Sequence, residues 1–238
     1  MIDIFIIPFY YIGFERKLTL EQQLAEQGFK NVNYFPAIDG KKMNPQKLAK
    51  DGIIGARAYN DLTYGRHQHT GISSSGAIGC ALSHIKLWEI CTEKYPYMII
   101  AEDDVKLHKL TENNIKDIQS SILKENGMFI SSNVIKDSET LFNLHFYVIS
   151  NNAAQKMLNK ALPINLQVDS YVGHLSNIGD INLEGYELFK QYKRQSSTQD
   201  NSIKYRLPYN NNFYIGICIG IILLIIIVII LSLVIIFR

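Results

Sequence analysis

From Leu207 to Phe237 the chain carries no charged residue, and the last 25 of those positions, Phe213 to Phe237, hold 12 isoleucines. Only Gly216, Cys218, Gly220 and Ser232 break that run with small or weakly polar side chains. At about 1.5 Å per residue it is long enough to cross the hydrocarbon core of a bilayer. A core helix of this composition would need apolar cover on every side. The chain therefore divides into a globular domain over 1–206, a juxtamembrane linker over 207–213 and a transmembrane helix over 214–237. Tyr205, Tyr209 and Tyr214 stand at the entrance to the run, and Lys193, Arg194, Lys204 and Arg206 precede it. Aromatic rings favour the headgroup layer and basic residues the cytosolic side, which predicts a single-pass, tail-anchored membrane protein with its body in the cytosol. Gly216 and Gly220 form a GxxxG pattern through which two such spans could pair weakly as a homodimer.

The remaining composition excludes several functions. The 24 Lys plus Arg and 22 Asp plus Glu give a net charge of +2, so no electrostatic footprint for nucleic acid is visible. Cys80, Cys91 and Cys218 include no CxxC pair, which indicates neither a disulfide framework nor a zinc cluster. The apolar opening Ile2 to Ile12 lacks a basic lead and a small-residue cleavage site, and reads as a first strand rather than a secretory signal.

Alternating patterns follow. Strands are expected over Ile2–Ile7, Asn31–Ala37, Tyr97–Ala101, Met128–Ser131 and Leu144–Ile149, with helices over Glu15–Gln27, from Asn44-Pro45 to near Gly52, Ala77–Glu93, Glu112–Lys124 and from Ser150 or Asn151 to Leu162. Gly55–Gly76 reads as a polar loop. Within Ala77–Glu93 the apolar residues Ile78, Ala81, Leu82, Ile85, Trp88 and Cys91 give a helix with one buried face. Strands alternating with helices define an α/β class with a mainly parallel, Rossmann-type sheet flanked by helices.

The apolar strand Tyr97-Met-Ile-Ile-Ala101 runs directly into Glu102-Asp103-Asp104. In an open α/β sheet ligands bind off the carboxyl edge of the strands. Three adjacent carboxylates repel one another unless a cation or solvent takes up the charge, and Mg²⁺ or Mn²⁺ with nucleotide phosphates completes such a set. On composition alone a solvated acidic turn is an equal reading.

Gly76-Ala-Ile-Gly-Cys-Ala-Leu-Ser-His-Ile-Lys-Leu-Trp-Glu89, followed twelve residues later by Ala101-Glu-Asp-Asp-Val105, resembles the core signature of glycosyltransferase family 25, which includes lipooligosaccharide and collagen galactosyltransferases. Arg16, Ala37-Ile38-Asp39-Gly40, Tyr147-Val148-Ile149-Ser150 with Ala153-Ala154, Val168-Asp169, Gln199 and Ser202 fall in the family's order, so the likeness spans roughly 4–203. It implies a GT-A type fold, a UDP-hexose donor such as UDP-galactose or UDP-glucose, and a hydroxyl acceptor on a glycan, protein or lipid. Carried onto this chain, Asp104 and Glu102 hold Mn²⁺ or Mg²⁺; Glu102 or Asp103 meets the ribose; and Arg16, Asp39, Ser83 and His84 line the donor site. Asp169 is the base for the acceptor hydroxyl, or else a helix cap. His108 and His174 are further metal-ligand candidates that no spacing favours.

Where the family usually has Asn-Leu after the first strand, this chain has Pro8-Phe9. That departure leaves a second expectation, a glycosyltransferase-like membrane-bound scaffold without turnover; a metal phosphoesterase is weaker, because no His/Asp cluster for two metals is apparent. The abundance of isoleucine and asparagine suggests an AT-rich genome and a viral or host-cell membrane.

Overall fold

The computed structural model describes residues 3–7, 13–27, 29, 31–65, 70–72, 74–131 and 144–191. In chain order these form β1 (Asp3–Ile7), α1 (Gly13–Glu26), β2 (Val32–Tyr34), α2 (Pro45–Lys50), α3 (Ala56–Tyr64), α4 (Ser75–Lys94), β3 (Tyr97–Glu102) and β4 (Val105–Lys106). They continue with α5 (Glu112–Ile122), β5 (Gly127–Ile130), β6 (Phe146–Ser150), α6 (Asn151–Leu158), α7 (Val168–Asn177), β7 (Asn182–Gly185) and β8 (Lys190–Gln191). Pro8-Phe9, Gln199, Ser202, the linker and the apolar run with Gly216 and Gly220 lie outside the described residues. Among the described residues no helix is long and apolar enough to cross a membrane.

The main sheet has the order β2-β1-β3-β6-β5-β7. β1 pairs in parallel with β2 and β3, β6 runs antiparallel to β3 and β5, and β7 is parallel to β5. Five strands thus share one direction and β6 alone is reversed, so the sheet is mainly parallel. β4 and β8 form a separate two-stranded ribbon.

The period of two along each strand divides the core. Met98 and Ile100 of β3, Met128 and Ile130 of β5, and Tyr147 and Ile149 of β6 face a cluster that includes Ile78, Ala81, Ile85 and Trp88 of α4, with α6 and α7. Ile99, Ala101, Phe129, Phe146 and Val148 face Leu20 and Leu24 of α1 and Ile118 and Ile122 of α5. The result is a sheet covered by helices on both faces.

Three sequence expectations change. The loop assigned to Gly55–Gly76 contains α3, which buries Ala58 and Asp61 and ends at Gly65 in the left-handed region, φ 65°. Its polarity hid it: Asp61 is buried because its carboxylate accepts from Ile72 N at 3.2 Å, and Arg57 donates to Thr70 Oγ1 at 2.8 Å. α4 buries more than one face, since Ser83, His84 and Leu87 are covered as well as the apolar stripe. The helix for which Asp169 is one candidate cap starts at Val168, so Asp169 lies in its first turn and Gln167 holds the cap position.

Candidate functional site

β3 and β1 end in register, with Ile7 opposite Glu102, so the acidic triplet leaves the sheet at the shared carboxyl edge of the parallel strands. The reversed strand β6 begins at that same edge: Glu102 N donates to His145 O at 2.8 Å. Asp103 is buried in the turn between β3 and β4, while Glu102 and Asp104 are half-buried. Burial, then the charges of Asp104, Asp103 and Asp169, push the Glu102 carboxyl up to about 8, against a smaller lowering by His145.

α4 brings its first turns to this edge. Ser74 caps it, accepting from Ala77 N at 3.2 Å. Two glycines of the signature explain the close fit of the neighbouring loop: a Cβ on Gly79 would come within 2.2 Å of Ile38 O, and one on Gly40 within 1.8 Å of Ser75 O. Ser83 completes the clamp, accepting from Ile38 N at 2.9 Å and donating to Gly79 O at 2.7 Å. Ser83 therefore holds the loop that carries Asp39. Asp39 caps the short 3-10 turn Gly40–Lys42, accepting from Lys41 N at 3.1 Å, and lies 3.4 Å from Lys42 Nζ.

One turn of helix separates Cys80 from His84, which places both side chains toward Glu102. His84 Nε2 is 3.6 Å and Cys80 Sγ 4.0 Å from Glu102 Oε1. The three side chains form a group whose ligand atoms all lie within 4.8 Å of one another. His84 is 0% exposed, and burial lowers its pKa to about 4. Burial likewise raises the Cys80 thiol well above its ordinary value. Asp169, in the first turn of α7, acts electrostatically on Cys80, His84 and Glu102, which places it beside the group. It accepts from Ser170 N at 2.8 Å, whereas Gln167 holds the cap position without a side-chain bond.

The structure thus brings Ser83, His84, Glu102, Asp103, Asp104 and Asp169 to one edge, with the Asp39 loop against α4. Arg16 falls on α1. His108 is exposed beyond β4 and His174 sits in the last turn of α7; neither joins the group. Sequence reasoning missed three members. Cys80 has no CxxC partner to mark it, and its signal in the sequence is the i, i+4 relation to His84. Tyr147 lay inside the quoted signature with no role, yet its hydroxyl is 2.8 Å from His84 Nδ1 and accepts from Trp88 Nε1 at 3.0 Å. His145 is 3% exposed, and neither ring nitrogen has a hydrogen-bond partner among the described residues.

A divalent cation fits the oxygen donors here, because Glu102 and Asp104 crowd negative charge at a half-buried edge. The fit of a softer metal to Cys80 and His84 depends on which His84 nitrogen carries the proton.

An α/β sheet with acids gathered at the carboxyl edge of its parallel strands is the kind of fold that binds ligands at that edge. Residues 1–143 match the family model described as glycosyltransferase family 25, LPS biosynthesis protein. The chain belongs to glycosyltransferase family 25. It is 30% identical over 101 residues to a glycosyltransferase 25 family member of Drosophila melanogaster, covering 42% of this chain and 16% of that one. It is 27% identical over 185 residues to procollagen galactosyltransferase 1 of Danio rerio, covering 68% and 30%. Over 112 residues it is 28% identical to a probable inactive glycosyltransferase 25 family member 3 of Bos taurus, covering 47% and 17%. The chain spans less than a third of the length of each of these relatives.

Proposed function

We propose that the chain is a metal-dependent glycosyltransferase of GT-A type that moves a hexose, galactose or glucose, from a UDP-sugar to a hydroxyl acceptor on a glycan, protein or lipid. The observation that carries this reading is the delivery of Glu102-Asp103-Asp104 to the carboxyl edge, beside His84 and Asp169, in a chain of this family. Glu102 and Asp104 would hold Mn²⁺ or Mg²⁺, which when bound neutralises the diphosphate and so assists departure of UDP. Asp103 or Glu102 holds the ribose. Asp169, in the first turn of α7, takes the proton of the acceptor hydroxyl as the new glycosidic bond forms. The Asp39 loop, clamped through Gly40, Gly79 and Ser83, supplies a rigid wall to the donor site, and Arg16 is a further proposed contact of the nucleotide.

The apolar run over 214–237 is proposed as a single-pass anchor that keeps the body in the cytosol, on a viral or host membrane, with Gly216 and Gly220 as a weak pairing face. Carbonate extraction and protease protection of sealed microsomes test it: the intact chain should stay with the membrane and its body should be digested, whereas release or protection refutes the arrangement.

A screen of the full chain against nucleotide sugars with Mn²⁺, reading donor hydrolysis, tests the activity. Hydrolysis of one UDP-sugar that stops on chelation supports it. UDP binding without turnover for any donor favours instead the inactive scaffold, the reading that the probable inactive relative brings forward.

A further inference from the structure

Trp88, Tyr147 and His84 form a buried chain of hydrogen bonds behind Glu102, and the number of hydrogens in it fixes its direction. Trp88 Nε1 is a donor only, so Tyr147 O must accept from it at 3.0 Å. The single hydroxyl hydrogen of Tyr147 then has His84 Nδ1, 2.8 Å away, as its acceptor. With Nδ1 accepting, the neutral imidazole carries its proton on Nε2, the nitrogen nearest Glu102 Oε1 at 3.6 Å. The opposite tautomer would have Tyr147 O accept from both Trp88 and His84 and would strand a hydroxyl hydrogen inside the core. Leaving that hydrogen unsatisfied disfavours the tautomer by roughly tenfold or more.

We propose that Trp88 and Tyr147 lock His84 as an Nε2–H donor and that His84 is a positioning residue that orients the Glu102 carboxyl group for the nucleotide-sugar donor. The inference rests on the glycosyltransferase reading of the edge. The Nε2···Oε1 separation of 3.6 Å is longer than a formed hydrogen bond, a spacing common among catalytic hydrogen bonds before substrate is in place. Cys80 Sγ, 4.0 Å from the same oxygen, is a second and weaker donor to it. Because the lock places a proton on Nε2, it weakens Cys80, His84 and Glu102 as a thiolate-imidazole metal site, since a metal ligand must be an unprotonated nitrogen.

Ring-¹⁵N NMR of the full chain in detergent tests this directly, with the His84 signal identified by its loss in His84→Gln. The expected spectrum is the Nε2–H tautomer in the wild type and a mixture of tautomers in Tyr147→Phe. An Nδ1–H tautomer in the wild type, or an unchanged one in Tyr147→Phe, overturns the lock. Calorimetry with UDP and Mn²⁺ then reads the consequence. His84→Gln, which keeps a donor near the Nε2 position, should bind within about threefold of wild type, and His84→Leu roughly tenfold to a hundredfold more weakly. Equal binding by folded His84→Leu overturns the positioning role; if that variant does not fold, Tyr147→Phe should bind about twofold more weakly than wild type, in proportion to its loss of the Nε2–H tautomer, and wild-type affinity in a Tyr147→Phe of mixed tautomer overturns the role. Absence of UDP binding by the wild type instead refutes the glycosyltransferase reading, which the tautomer measurement leaves separately scored.

Discussion

The two faces of the central sheet are built from alternate residues of the same strands, yet they differ in kind. On the face covered by α1 and α5, Phe146 meets Phe189 edge-on at 4.7 Å and Phe129 meets Tyr186 at 5.5 Å, a packing of rings around aliphatic side chains. On the face covered by α4, Tyr147 is flanked by Trp88 and His84, and that polar chain leads to Glu102 at the sheet edge. Residues 146 and 147 are neighbours in sequence and serve opposite ends. The first face supplies dispersion and area, which tolerate some adjustment of shape. The second buries hydrogen-bonding groups, which stabilise only when every partner is present.

The sharpest way to break this comparison is to damage one face and read both properties. Phe146→Ala should lower unfolding free energy in urea by about 3–5 kcal/mol, with UDP affinity retained in the folded fraction. Asp104→Asn should do the reverse, cutting donor hydrolysis by about a hundredfold or more with little change in the urea midpoint. Gly79→Ala forces a methyl to within 2.2 Å of Ile38 O. It should cost about 1–3 kcal/mol of stability and weaken UDP binding, because the loop bearing Asp39 must move off α4.

An effect comparable in size with that of Gly79→Ala is on pH dependence, measured in chelator. His84, lowered to about 4 in the folded chain, makes stability fall as pH drops from about 6.5 toward 4. Glu102, raised to about 8, keeps its proton in the folded chain while the unfolded chain loses it, so stability falls as pH rises from about 4.5 to about 8. Between 6.5 and 8 only the Glu102 contribution remains, and Glu102→Gln should flatten that limb in urea titrations at successive pH values. An unchanged slope would remove Glu102 from the buried edge.

Much of this was legible in the chain before its structure was considered. The period of two in Tyr97–Ala101 and the run into Glu102-Asp103-Asp104 located β3 and its acids, and the helical repeat from Ile78 to Cys91 located α4. What escaped were groups whose meaning depends on a partner far away in sequence. Asp61 made α3 look like a solvated loop, since nothing local shows that Ile72 N will meet its carboxylate. Tyr147 read as one aromatic residue in an apolar strand, because its hydroxyl is explained only by residues 59 and 63 positions earlier. Ser83 reads from the sequence as a donor-site residue, and nothing local shows that it also pins Ile38, a bond across 45 residues. Local periodicity reports which way a side chain faces, and long-range pairing decides what it does there.

Titration calorimetry of UDP with Mn²⁺ into the full chain and into Asp104→Asn tests the central claim most directly. The wild type should bind saturably and only with Mn²⁺, and the variant should lose affinity by at least about tenfold. Equal affinity in both, or binding indifferent to Mn²⁺, would contradict a donor site built on the acids that end β3.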